Sequence, residues 1–343
     1  MYPQTPYHLG FEFVIREHHP PNETPDDHEF SRSQDPLPGR FGEKELRLRV
    51  CKGLRVGSGY SAQVAVVQEV LSGRPPKHAG SLHRDPDELG PRMVAKLYDP
   101  RYLGPSSGRT WTQVVHFMDE QYVRESAAYR HLLDHGLQQH IPQYYGSWST
   151  HTADPASKEP CEVRLILTEL VEGMDMRQLR AESFSLAERQ TIMRRIVTIE
   201  SEFYACDLRH CDIYPRNVII ARPDSRYKKA GKDKAAGPLR ITVIDFGLAR
   251  VGRSWFDVNS GNCLSSDLLP GTYISPIVRW WQKDAEMESW GDWVTWDWNK
   301  WLADTFSADL PHITRCMLKW VHPLKRKDPF FKQFEKRGSC DAC

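Results

Sequence analysis

Several short stretches of this chain hold the residue types that phosphate chemistry needs. Gly57-Ser58-Gly59-Tyr60-Ser61-Ala62-Gln63-Val64 lies between two strand-like runs. Glycine lets a backbone approach phosphates closely and turn amide N–H groups toward them, so Gly57, Ser58, Gly59 and Ala62 are candidate phosphate contacts. Lys96 stands in an apolar strand with Val94, Ala95 and Leu97, and Glu125 falls on the helix that follows. A lysine held there can reach phosphates while the glutamate fixes its ammonium. His210-Cys211-Asp212-Ile213-Tyr214-Pro215-Arg216-Asn217 supplies a carboxylate and an amide, and Ile244-Asp245-Phe246-Gly247 supplies a second carboxylate behind a strand. Taken singly, each has an ordinary reading: a hairpin turn, an edge-strand lysine, a surface turn. What separates them from chance is that all occur in one order along one chain.

The elements that must position these residues are legible in the pattern of apolar residues. From Leu46 the chain alternates like a strand through "LRLRVCKGLRV", turns at the glycines and continues as the Val-rich "AQVAVVQEVL". A polar stretch from Ser72 to Pro91 reads as a surface loop before a third strand, "RMVAKLYD". Val114, Val115, Met118, Tyr122, Ala128, Tyr129 and Leu132 recur at helical spacing over 112–135, with Gly136 as the cap. Strands fit "PQYYGSW" and "VRLILTEL"; a long helix fits "LAERQTIMRRIVTIESEFYACDL"; short strands fit "NVII" and "ITVIDF". The fold class is therefore α+β, a strand-rich half preceding a helix-rich half. Residues 1–45, rich in Pro, His, Asp and Glu, read as a mobile tail outside the core.

On these residues the sequence resembles the protein kinase superfamily: glycine loop, strand lysine, helix glutamate, an "HxDxxxxN" loop and "DFG" follow one another in the family's order over residues 48 to about 280. The resemblance implies two lobes, an N-lobe at 46–168 and a C-lobe at 169–320, with ATP and Mg²⁺ in the cleft between them. It implies that Asp245 and Asn217 hold metal and that Asp212 orients the attacking hydroxyl. Thr168 takes the gatekeeper position, Glu169 and Val171 offer hinge backbone groups to adenine, and Val64, Val94 and Ile219 sandwich the base. Tyr129, His210 and Phe246 match an internal stack. The implied activity is transfer of the γ-phosphoryl of Mg-ATP to a hydroxyl on a protein Ser/Thr or Tyr. The alternatives are a pseudokinase scaffold and a small-molecule kinase.

The departures from the family are specific. Cys211 replaces the arginine after the catalytic-loop histidine, which argues against control by a phosphorylated loop. Tyr214 replaces the lysine two residues after Asp212, leaving Arg216 as the cation available to the transferring phosphate. Ile277 in "GTYISPIVRWW" replaces a glutamate, removing a structural ion pair, and the 67 residues after Pro276 imply an abbreviated C-lobe. At about 100° per residue Trp290, Trp293, Trp298 and Trp301 fall on one face of a core helix, and that face is expected to pack the lobe. Asp292 or Asp297 is the candidate brace for the catalytic loop.

Composition bounds the partners. Lysine plus arginine total 46 against 45 acidic residues, so no global field favours nucleic acid or an anionic membrane. No run is long and apolar enough for a membrane span, and Met1 to Gly10 lacks the features of a secretory signal, so the expected location is the cytoplasm or nucleus. The eight cysteines show no disulfide rhythm or paired metal-ligand spacing and read as reduced thiols. Residues 321–343 read as a solvated basic tail. Its Cys340 carries a weak resemblance to a prenylation signal, broken by Asp341 and Cys343.

Overall fold

Alternating apolar residues on successive strands need a common interior, and in this protein they obtain it by closing a sheet on itself. The structure, a computed structural model, describes residues 5–21, 39–71, 89–103, 108–153, 160–221, 239–252, 273–281, 284–320 and 326–337. Strands β1 (Glu12–His19), β2 (Arg40–Arg55), β3 (Gln63–Val70), β4 (Leu89–Tyr98), β5 (Tyr144–Ala153) and β6 (Pro160–Glu169) form an antiparallel barrel in the order β1-β2-β3-β4-β6-β5. Because side chains alternate across a strand, one face of β3, β4 and β6 sends Ala65, Val67, Met93, Ala95, Leu97, Leu165 and Leu167 into the barrel core. The chain divides into two compact units, the first being Met1–Arg130 with Pro142–Leu170, the second His131–Ile141 with Val171–Cys343. Strands dominate the first unit and the second carries most of the helical elements, the α+β class expected from sequence.

The expectation of a mobile tail over 1–45 is corrected by β1. Phe13 and Ile15 are buried in the barrel core, and β1 pairs with β2 on one edge and β5 on the other, so this strand closes the barrel. His18, also buried, sits 2.7 Å from the Tyr122 hydroxyl; burial holds its pKa down to about 3, so it is neutral. Residues 22–38 of the predicted tail lie outside the described residues, as do 72–88 of the predicted loop.

Helix α1 (Trp111–Asp134) fits the expected 112–135. Gly136, at φ 71°, ends it, with its N–H on Leu133 O and that of Leu137 on Leu132 O. In the second unit, α2 (Leu186–Ala205) begins with a capping box between Ser185 and Glu188. It buries Ile192, Met193, Ile196, Val197, Ile199 and Phe203. Three small strands, β7 (Met174–Asp175), β9 (Val218–Ala221) and β10 (Arg240–Val243), form a sheet in the order β10-β9-β7, and β8 (Leu208–Arg209) pairs with β11 (Arg250–Val251). Gly173, at φ 157°, allows β7 to approach β9: a Cβ there would lie 2.7 Å from Ile220 O.

The tryptophan-rich segment is not one helix. A 3₁₀ segment, Asp284–Trp293, is interrupted at Gly291 (φ 50°), and a separate α4 (Trp298–Thr305) starts after it, following the four-residue α3 (Pro276–Arg279). The packing role survives in another form. Trp290, Trp293 and Trp298 are buried, and the indole N–H groups of Trp293 and Trp298 donate to Met176 O at 3.0 Å and Trp280 O at 2.9 Å. The solvated basic tail is also corrected over 326–337. Pro329–Phe334 forms a 3₁₀ turn whose Phe331 and Phe334 are fully buried, while Phe330 stacks on Trp281 with ring centroids 4.2 Å apart. Cys340 and its prenylation-like context lie outside the described residues. Cys51, Cys161, Cys206 and Cys211 are not in disulfides, whereas Cys316 is disulfide-bonded, against the reduced reading.

Candidate functional site

The outer face of the barrel wall carries one group of candidate residues because of strand register. Val64 on β3 pairs with Lys96 on β4, which pairs with Ile166 on β6; two residues along, Val66 pairs with Val94, which pairs with Thr168. Directly paired residues share a face, as do residues two apart, so Val64, Val94, Lys96 and Thr168 stand together on the side opposite the barrel core. Lys96 Nζ lies 2.5 Å from Glu125 Oε2 on α1, with side chains 10% and 2% exposed. The Tyr98 hydroxyl donates to the same oxygen at 2.6 Å. Sequence reading missed Tyr98, although its place two residues beyond Lys96 puts it on the same strand face.

The glycine turn preceding β3 is braced from within. The Gly57 N–H donates to Gln63 Oε1 at 2.6 Å, the Gln63 amide returns a bond to Gly57 O at 2.9 Å, and the Gly59 N–H donates to Tyr102 O at 2.6 Å. Gly57 (φ 141°) and Gly59 (φ 86°) adopt backbone that only glycine takes without strain. Two of the amides expected to meet phosphate are thus already bonded inside the chain. Ser58 is half-buried and Ala62 fully buried. At the end of β6 the Glu169 N–H donates to Gln143 O at 2.8 Å, so any hinge contact from Glu169 falls to its carbonyl. Val171, buried, belongs to the second unit.

In the second unit the two carboxylate motifs are drawn together by strand pairing. Val218 of β9 pairs with Val243 of β10, which sets Asn217 beside Ile244. The Ile244 N–H donates to Asn217 O at 2.9 Å, and Ile244 O lies 3.1 Å from His210 Nε2. The Asp212 N–H points at His210 Nδ1 at 3.3 Å, so Nδ1 accepts and Nε2 carries the proton. Burial lowers the pKa of this histidine and keeps it neutral, while its ring packs on Phe246 at 4.7 Å. Tyr129 of the expected stack lies face to face with Tyr144 at 5.0 Å. The result is a small frame holding Asp212, Asn217 and Asp245 on adjoining segments.

Within that frame Asp212 is held from both sides. Asn217 Nδ2 donates to Asp212 O at 2.9 Å and to Oδ2 at 2.8 Å, and Arg216 Nη2 reaches Oδ1 at 2.5 Å. Arg216 also lies over the Tyr214 ring, 4.7 Å from its centroid. With its amide nitrogen turned to Asp212, Asn217 has its Oδ1 as the remaining donor atom, and Asp245 adds carboxylate oxygens on the neighbouring segment. Such an oxygen set suits a hard divalent cation that keeps part of its water. Cys211 and Asp245 adopt positive φ, 62° and 67°. A left-handed residue costs roughly 1–2 kcal/mol, a strain that tends to accompany functional sites. Ile219, half-buried on β9, pairs with Asp175 of β7.

Of the two candidate braces, Asp297 caps α4 by accepting from the Lys300 N–H at 3.0 Å, while Asp292 offers its backbone carbonyl to Arg189. Among the described residues, neither side chain is hydrogen-bonded to the Asp212 loop. An ion pair holds the segment that carries Ile277. Arg279 places Nη1 2.6 and 2.5 Å from the two carboxylate oxygens of Glu200 on α2, and Trp280 Nε1 donates to Glu200 at 2.8 Å.

No protein-family model and no curated protein matches the chain. Among solved structures it is similar to the kinase PK-1 of Cydia pomonella granulovirus, at 14% identity, with a TM-score of 0.32. The match covers 60% of this chain and 52% of that one, about half the length of the viral chain.

Proposed function

We propose that this chain is an ATP-dependent phosphotransferase of the protein kinase type, moving the γ-phosphoryl of Mg-ATP to a hydroxyl on a protein Ser/Thr or Tyr. The observation that carries this reading is the frame around Ile244, which joins the Asp212–Asn217 loop to the segment bearing Asp245. Magnesium, when bound, supplies charge to neutralise the phosphate oxygens of the nucleotide. Asp245 and Asn217 Oδ1 are the residues that would hold it. Asp212 orients the acceptor hydroxyl through a carboxylate fixed by Asn217, and takes its proton as the bond forms. Lys96, pinned by Glu125 and Tyr98, presents an ammonium to the nucleotide phosphates, and Arg216 is the cation available once it leaves Asp212. Val64, Val94 and Ile219 offer apolar surface to the base, with Thr168, Glu169 and Val171 at its edge.

A second reading, nucleotide binding without turnover, draws support from Arg216 occupying Asp212, the carboxylate that has to meet the acceptor hydroxyl. Thermal unfolding of the wild type and Asp245→Ala with ATP, with and without Mg²⁺, tests nucleotide binding. Transfer of labelled γ-phosphoryl to a panel of protein acceptors tests turnover. The enzyme reading expects a magnesium-dependent rise in midpoint that Asp245→Ala loses. It also expects transfer that Asp212→Asn cuts by about 10²–10⁴. A midpoint shift with transfer no greater than that of Asp212→Asn favours the binding module. No shift over a wide ATP range defeats both readings.

A further inference from the structure

Outside the residues given a role above, one group of side chains has the composition of a metal centre. His131 lies in the last turn of α1 and His135 just past its end, four residues apart, and Cys206 caps the C-terminus of α2. One donor atom from each lies within 4.8 Å of the others. The imidazole rings are 4.2 Å apart between centroids. We propose that His131, His135 and Cys206 form a site for a zinc-class divalent cation, with water completing a tetrahedral shell.

The chemistry selects that class of metal. Imidazole nitrogen and thiolate sulfur suit zinc, whereas magnesium and calcium take oxygen ligands. Zinc holds these atoms at about 2.0–2.3 Å, which separates tetrahedral ligands by roughly 3.5 Å. The observed spread of up to 4.8 Å closes by rotation of side chains, the easiest being that of His135, which is exposed. One orienting contact is already in place: His135 Nδ1 lies 2.8 Å from His131 O and donates to that carbonyl, which leaves Nε2 as the ligand atom. Metal-bound histidines commonly have such a partner on the other ring nitrogen. His131 Nε2 meets the backbone carbonyl of Cys206, which already ties the end of α1 to the end of α2. When an ion binds, His131 releases the Cys206 carbonyl and its Nε2 proton passes through solvent to Nδ1, so that the freed Nε2 and the Cys206 sulfur take over the tie. The Cys206 thiol, now donating to Phe203 O at 3.1 Å, gives its proton to solvent as the metal–sulfur bond forms.

Titration of the full, metal-free chain with Co²⁺, followed by Zn²⁺, tests the site by absorbance. The expected result is one cobalt per chain, with a thiolate-to-cobalt charge-transfer band in the near ultraviolet that Zn²⁺ abolishes. Cys206→Ser should remove the band. His135→Ala, at an exposed position where folding is not at stake, should weaken Co²⁺ binding about tenfold or more while leaving the metal-free thermal midpoint unchanged. Absence of the band in the wild type overturns the proposal. So does a His135→Ala protein that binds Co²⁺ with wild-type affinity and band, because other thiols would then hold the metal; this arm stands even if Cys206→Ser does not fold.

Discussion

Lys96, Glu125 and Tyr98 show how burial turns a small cluster into a structural and a chemical device at once. Glu125 is 2% exposed and takes both the Lys96 ammonium and the Tyr98 hydroxyl on one oxygen. Removing one member of a buried pair leaves the other charge uncompensated, which costs about 3–5 kcal/mol, whereas replacing both with apolar residues of similar size is often nearly neutral. Lys96→Ala should therefore lower unfolding stability by about 3–5 kcal/mol. Lys96→Met with Glu125→Leu should recover most of that loss without restoring any ATP-dependent rise in midpoint. Urea titration gives the first quantity and thermal unfolding with Mg-ATP the second. A double variant that still gains stability from Mg-ATP would detach this pair from nucleotide binding. At this scale the sequence was informative because each candidate sits in a short motif whose neighbours share its strand or loop. Tyr98 and Gln63 escaped notice because their roles arise from a shared oxygen and a bridged turn, which only three-dimensional placement reveals.

Among the elements, β1 decides how the N-terminal residues should be understood. Phe13 and Ile15 alternate with Glu12, Val14 and Arg16, a period-2 pattern of the kind that betrays a half-buried strand. The signal is short and sits against a Pro-, His- and acid-rich stretch, so composition averaged over 1–45 hid it. The same averaging hid Phe331 and Phe334 among lysines and arginines, because charge counting reports the exposed side of a turn and not its buried side. The tryptophan segment failed for another reason: a 100° wheel assumes continuous helix, and Gly291 breaks it. Where elements were long and periodic, as in α1 and α2, pattern and structure agree to within a few residues. Ile15 tests the strand reading. It is fully buried in the barrel core, and truncation of such a side chain costs about 2–5 kcal/mol, while substitutions in a solvated tail stay within about 0.5 kcal/mol. Ile15→Ala should accordingly shift the urea midpoint by the larger amount, and an unchanged midpoint would return these residues to the tail.

At the scale of the whole molecule, the proposed machinery is divided between two units, each with its own buried core. The glycine turn, Lys96, Glu125 and Thr168 belong to the first; Asp212, Asn217 and Asp245 belong to the second. Among the described residues no helix is long and apolar enough to cross a membrane. A ligand that binds only the folded state stabilises whatever must stay folded to hold it, by about 2.7 kcal/mol at a hundredfold excess over its Kd. If one Mg-ATP engages residues of both units, that gain must be felt in both. Hydrogen exchange reads this directly, because amides protected by global or sub-global unfolding report the stability of their own unit. With saturating Mg-ATP, exchange should slow in the paired amides of β3 and β4 and also in those of β9 and β10, and Asp245→Ala should remove the protection in both places. Slowing confined to β3 and β4 would mean that the barrel alone holds the nucleotide. Asp212, Asn217 and Asp245 would then need a different ligand, and the phosphotransferase reading would lose the half of the site that performs the chemistry.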